Sequence, residues 1–177
     1  MIITEEEFLR AEVEDMNLTM HNVAFVNLAT SVAEYCKKFN AENVIDYGCG
    51  TGVYSEVMRQ HGYDIMALDV FKSHRDYCKK EYPELKVIAR PKVADLMLFI
   101  EVAEHMTDDE IFKAVDFIEP RLIVFSSTPH KTPNDEAWGH INIKDEPEWI
   151  EFWNGLGYKL LEKPQTPTGW TLMLEKI

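Results

Sequence analysis

The sequence predicts one α/β domain spanning residues 1–177, a doubly wound, mostly parallel sheet of seven strands with one late antiparallel strand. Three observations carry this. Short apolar runs alternate with helix-period segments from residue 43 to residue 156, the order that builds parallel strands linked by covering helices. Leu96-Met97-Leu98-Phe99-Ile100 is apolar at every position, as in a strand buried on both faces. The last two strands, 158–163 and 170–176, are joined only by Pro164 to Gly169, which is too short for a crossover and makes the pair antiparallel.

The elements follow in order. Residues 4–16 are acidic with Phe8, Leu9 and Val13 among them, which suits a short helix. Residues 19–39 form a helix whose apolar face is Phe25, Val26, Ala29, Val32, Ala33 and Cys36. Together, residues 1–40 make an N-terminal helical cap. Residues 43–47 are a strand ending at a glycine cluster, and 53–61 a helix stopped by Gly62. A strand at 64–70, a polar helix at 73–80 closed by Pro83, and strands at 85–89 and 94–100 come next. Only Arg90 to Val93 separate those last two strands, so the crossover helix expected between them is reduced to a turn or missing. Thr107 and Glu110 form a capping box for a helix at 108–118. A strand at 121–127, a loop with Pro129 and Pro133, and a helix at 145–156 ending at Gly157 complete the order.

Composition narrows the function. Eighteen basic against thirty-one acidic side chains leave a net charge of −13, which repels phosphate backbones and makes nucleic acid a poor partner. A small neutral or cationic acceptor is easier to accommodate. The three cysteines, Cys36, Cys49 and Cys78, show neither disulfide nor zinc spacing and fit a reducing compartment. The N-terminus is acidic where a secretory signal would be basic, and the longest apolar run, Leu96 to Ile100, is too short to span a bilayer. The expectation is a cytoplasmic protein with no membrane insertion.

The glycine cluster is Asp46-Tyr47-Gly48-Cys49-Gly50-Thr51-Gly52. A strand–loop–helix is where open α/β sheets bind ligands, and glycines let a ligand approach the backbone. Val53 stands where a dinucleotide fingerprint has its third glycine. The Asp46 carboxylate suits an ammonium group and would repel a pyrophosphate. Asp69, followed by Val70, ends the second strand, where a carboxylate can accept from both hydroxyls of a ribose. Nicotinamide cofactor sites use the same device, so Asp69 alone does not discriminate.

Val44 to Gly52 resembles motif I of class I S-adenosylmethionine-dependent methyltransferases, and the order of elements matches that family over about residues 19–177. The resemblance implies a Rossmann-like sheet with S-adenosylmethionine bound by Asp46, Gly48, Gly50, Gly52, Tyr54, Asp69, Val70 and Glu101. Tyr54 would bond the cofactor carboxylate or simply cover the helix start, and Glu101 would contact the cofactor through its backbone. Many relatives carry an acidic residue for adenine after the third strand. Here Ala89-Arg90-Pro91 stands there, so adenine recognition falls to backbone groups.

Glu101, Glu104 and His105 are spaced i, i+3, i+4 and share one face of a helical turn at the end of the fourth strand. Two carboxylates and an imidazole can hold a divalent cation. This Glu-x-x-Glu-His segment resembles that of ubiquinone-biosynthesis O-methyltransferases and of small-RNA 3′-end 2′-O-methyltransferases. In those groups it contributes to a magnesium or manganese site, and the RNA enzymes add a histidine from the loop after strand five. His140 lies in that loop here. The resemblance therefore implies Glu101, Glu104, His105 and His140 as ligands of Mg2+ or Mn2+. The alternative is a structural turn leading into the capped helix with no ion, in which case His105 or His140 is the general base.

Other residues carry less. His21, His61 and His74 are read as surface positions and His130 as a solvated loop residue. Trp149 and Trp153, four apart on one helix, are read as core, and Trp138, beside His140, as a wall for the acceptor. The function expected is methyl transfer to a small-molecule oxygen. The alternatives are RNA 2′-O-methylation, a catalytically idle binding protein on a cofactor fold, and a nicotinamide oxidoreductase, which Asp46 and the absent third glycine disfavour.

Overall fold

The computed structural model describes residues 4–129, 131, 135–166 and 169–177, with only the backbone at 136 and 137. The expectations for His130 and Pro133 lie outside the described residues. The chain divides into two compact units, the first running to Pro91 and the second from Lys92 to Ile177.

In the first unit, helix α1 (Glu5–Arg10) opens with a capping box in which Thr4 and Glu7 satisfy each other's backbone N–H. It continues as a wider turn over Ala11–Asp15, where the Met16 N–H reaches back five residues to the Ala11 carbonyl. Helix α2 (Val23–Cys36) begins after the expected start at residue 19, because Asn22 caps it by accepting the Phe25 N–H. It ends in a single tight turn, Lys37–Phe39, with Asn40 left-handed at φ 49°. Ala29, Val32, Ala33 and Cys36 are buried as the periodicity requires, whereas Phe25 and Val26 are half-buried. Strands β1 (Val44–Tyr47), β2 (Ile65–Leu68) and β3 (Lys86–Ile88) are parallel, pairing Val44 with Ile65 and Met66 with Lys86. Helices α3 (Val53–Gln60) and α4 (Lys72–Glu81) follow β1 and β2.

The second unit holds the parallel pair β4 (Leu96–Ile100) and β5 (Leu122–Ser126), with helix α5 (Asp108–Ile118) between them. The Thr107–Glu110 capping box expected for α5 is formed in both directions. A one-turn helix α6 (Asp135–Trp138) stands in the segment read as loop, followed by α7 (Glu146–Gly155). Strand β7 (Leu172–Lys176) runs antiparallel to both β5 and β6 (Tyr158–Glu162). All seven strands share one sheet in the order β3-β2-β1-β4-β5-β7-β6, with β7 the late reversed strand. Residues 89–95 contain no helix, so the crossover element between β3 and β4 is absent.

The core of the second unit is aromatic. Phe99 and Phe125, from adjacent strands, meet the Trp153 indole edge-on at 6.2 and 5.1 Å, and Trp149 meets Phe125 at 5.0 Å. Both tryptophans are core, as their spacing on α7 implies. Among the described residues, no helix is long and apolar enough to cross a membrane.

Candidate functional site

The first unit presents the glycine loop at the carboxyl end of β1. Gly48, Gly50 and Gly52 all have positive φ, +74°, +52° and +78°. The loop is tied to β2 because the Leu68 carbonyl accepts the N–H groups of both Gly48 and Cys49. At residue 52 the requirement for glycine is steric as well as conformational. A Cβ there would stand 2.7 Å from Cys78 Sγ and 3.2 Å from the Tyr82 ring. Val53, in the place of a dinucleotide fingerprint's third glycine, has its side chain buried in the core.

Asp46 is buried, and its Oδ2 accepts the Ser55 hydroxyl at 2.6 Å. Burial disfavours its charge and pushes its carboxyl up to about 7, with the nearby Asp69 adding to this and Ser55 opposing it. The Asp69 carboxylate accepts backbone N–H groups on both oxygens, from Gly50 at 3.0 Å and Phe71 at 2.8 Å. It therefore braces the loop as well as ending β2. The Val70 side chain is exposed, and its carbonyl accepts from Arg75. Tyr54 stands at the start of α3 with its ring edge-on to Phe25 at 5.6 Å.

His74 corrects the sequence reading. It is 1% exposed, not a surface residue, and its Nε2 lies 3.0 Å from Glu12 Oε2. His21 is exposed, and His61 is partly exposed and paired with Glu34 at 3.0 Å.

In the second unit, β4 is followed by Glu101, which is left-handed at φ 53° and leads into a tight turn, Ala103–His105. The turn packs three ionisable groups together. Ligand atoms of Glu104, His105 and His140 all lie within 4.8 Å of one another. Glu104 is 1% exposed, and its Oε2 accepts the Ser127 hydroxyl at 3.0 Å. Its carbonyl accepts the N–H groups of Ile141 and Asn142, fastening the His140 loop to the turn. Burial, reinforced by the charge of Glu101, pushes the Glu104 carboxyl up to about 8. Burial and the neighbouring His140 bring His105 down to about 4, against a smaller opposing pull from the Gly139 carbonyl. The two imidazoles are 4.8 Å apart, nearly edge-to-face. His140 Nδ1 faces Asp135 Oδ1 at 3.2 Å.

Glu101, read as a fourth ligand, lies beside Glu104 and is held by further partners as well. Its carboxylate accepts the hydroxyls of Ser126 and Thr128 and, at 3.0 Å, the Trp170 indole N–H. It anchors the ends of β4 and β5 to the segment before β7. Asp135, Ser127 and Trp170 carry no sequence signal for these roles, because each becomes a partner only when distant segments meet. Trp138 is half-buried at the end of α6.

The donor set suits a divalent cation. His105 is held neutral, Asp135 orients His140 through Nδ1, and a buried carboxyl held with its proton would give it up to a cation.

Comparison with known proteins agrees with this architecture. The methyltransferase-domain family matches residues 20–163. The ubiquinone biosynthesis O-methyltransferase of Rickettsia typhi is 26% identical over 122 residues, covering 60% of this chain and 49% of that protein. The chain thus spans about half the length of the first curated relatives it matches. Among solved structures, a mitomycin 7-O-methyltransferase superposes with a TM-score of 0.69 at 15% identity, covering 97% of this chain and 57% of that one. A magnesium protoporphyrin IX methyltransferase from Synechocystis, with S-adenosylhomocysteine bound, superposes with a TM-score of 0.66 at 17% identity, covering 86% and 83%.

Proposed function

Because the chain belongs to the class I S-adenosylmethionine-dependent methyltransferases, we propose that it moves the methyl group of that cofactor to an oxygen of a small-molecule acceptor, with a divalent cation at Glu104, His105 and His140. The observation that carries the oxygen and the cation is the buried carboxyl with two imidazoles after β4. The O-methyltransferases among the relatives support the same choice of acceptor atom.

Bound cofactor supplies a methyl group on a positively charged sulfur, which an oxygen nucleophile displaces in line. A bound cation, Mg2+ or Mn2+, supplies a Lewis acid that lowers the pKa of the acceptor hydroxyl. The chain's own residues do the rest. Gly48, Gly50 and Gly52 keep the loop backbone open to close approach, and Asp69 stiffens it through Gly50 and Phe71. Asp46 places a carboxylate at the end of β1 for the cofactor ammonium, with Ser55 favouring its ionised form. Asp135 aligns His140, and Ser127 aligns Glu104. His105, brought down to about 4, is too weak a base for proton abstraction near neutral pH and suits a ligand's role. In the reading without a cation, His140, oriented by Asp135, is the group left to accept the acceptor's proton. The net charge of −13 favours a neutral or cationic acceptor over RNA.

The test is transfer of labelled methyl from S-adenosylmethionine to a panel of catechols, phenols and sugars, with Mn2+, with Mg2+ or with EDTA. The expected result is a methyl ether whose formation EDTA and Glu104→Gln both abolish. Ether formation indifferent to EDTA removes the cation from the account. Label on nitrogen removes the oxygen, and no transfer to any acceptor removes the enzymatic reading.

A further inference from the structure

Glu12 belongs to the wide turn that extends α1, thirty-eight residues before Gly50, yet its carboxylate lies against that glycine. The two oxygens stand 3.4 and 3.5 Å from where a Cβ on Gly50 would be. The side chain is anchored from behind by His74 of α4, whose Nε2 lies 3.0 Å from Oε2. His74 is buried between the rings of Phe8 and Phe71, with centroids 6.0 and 5.4 Å away. Burial disfavours charge on this imidazole, but Glu12, with Asp69 and Glu5 adding to it, outweighs burial and holds its pKa above the ordinary value. The hydrogen bond between the two side chains is charge-assisted when the imidazole carries its second proton.

Gly50 also donates its N–H to Asp69 Oδ2 at 3.0 Å. Carboxylates from two separate segments therefore flank one glycine of the loop. Asp69 is held by backbone donors on both oxygens, whereas no described residue donates to Glu12 Oε1. An acceptor poised beside a glycine whose N–H is already held by a second carboxylate fits a ligand that brings vicinal hydroxyl donors. We infer that Glu12 is a second carboxylate of the cofactor's ribose subsite and that His74 is its positioning residue. The inference rests on the reading that S-adenosylmethionine occupies the glycine loop. It extends that site to a segment outside the matched family region, which begins at residue 20.

Calorimetric titration with S-adenosylhomocysteine and with its 2′,3′-dideoxy analogue tests this on the whole chain. For Glu12→Ala the expected result is about tenfold weaker binding of S-adenosylhomocysteine, with the dideoxy ligand bound as by the unaltered protein. Glu12→Gln, which keeps the side chain's shape and a neutral acceptor, should lose less. His74→Gln should follow Glu12→Gln in sign and ligand dependence. A loss of equal size for both ligands would mean that Glu12 only holds the segment in place, and unchanged or tighter binding would mean that it does not meet the ligand; either overturns the inference. Failure of the unaltered protein to bind S-adenosylhomocysteine is a separate outcome that overturns the reading of the glycine loop itself.

Discussion

Replacing Asp46 with Asn should stabilise the protein at alkaline pH while weakening the cofactor site. In the folded protein, burial holds the Asp46 carboxyl at about 7 against an ordinary value of 3.8. The native state keeps this proton up to about pH 7, whereas the unfolded chain releases it near 3.8. Between those values folding takes up a proton, so the group's contribution to stability falls as pH rises. Below 3.8 both states are protonated and the group is neutral in its effect. Above about 7 both are ionised and the full cost stands. A gap of about three pH units at about 1.4 kcal/mol each gives a cost on the order of 4 kcal/mol. Asn does not titrate, and its amide oxygen can still accept the Ser55 hydroxyl now bonded at 2.6 Å. Urea denaturation at pH 4.5 and pH 8 should therefore show a stability advantage for Asp46→Asn that grows by a few kcal/mol between the two. Taking the difference between variant and unaltered protein cancels the titrating groups that do not interact with Asp46. At pH 8 the same variant should bind S-adenosylhomocysteine at least about tenfold more weakly, because an amide cannot pair with an ammonium as a carboxylate does. A stability difference that is the same at both pH values would refute the reasoning about burial.

Gly52→Ala should cost about 2–5 kcal/mol in denaturant unfolding, from a left-handed backbone at φ +78° and a Cβ 2.7 Å from Cys78 Sγ; a loss under about 1 kcal/mol would mean the loop relaxes freely. Trp153→Ala removes a fully buried indole from between Phe99, Phe125 and Tyr158 and should cost about 3–5 kcal/mol by the same assay. Asp135→Ala removes the group that orients His140 and should weaken Mn2+ binding by about tenfold in a paramagnetic titration, whereas Glu104→Gln should abolish it.

Local rules carried much of this architecture. The Thr107–Glu110 capping box, the buried run at β4 and the four-residue gap before it are short-range features, and each has its structural counterpart. The short link between the last two strands dictated the reversed β7. The site was legible in its composition and less so in its connections. Glu104, His105 and His140 come together, and Glu101, beside Glu104, also bonds Ser126, Thr128 and Trp170, which lie 25 to 69 residues further on. Spacing along one turn places side chains on a face and cannot say what that face will meet. His74 was misread because α4 is polar over most of its length. The overlooked signal was His74 with Cys78 four residues on, a narrow stripe that is buried. Glu12 was invisible for the same reason as Trp170, since its partners exist only after the chain has folded back.

The most direct test of the central claim is a crystal structure of the protein grown with S-adenosylhomocysteine. The account predicts ligand density against Gly48, Gly50 and Gly52, with the ribose at Asp69. Density for the ligand elsewhere, or a loop left empty at saturating ligand, would contradict it.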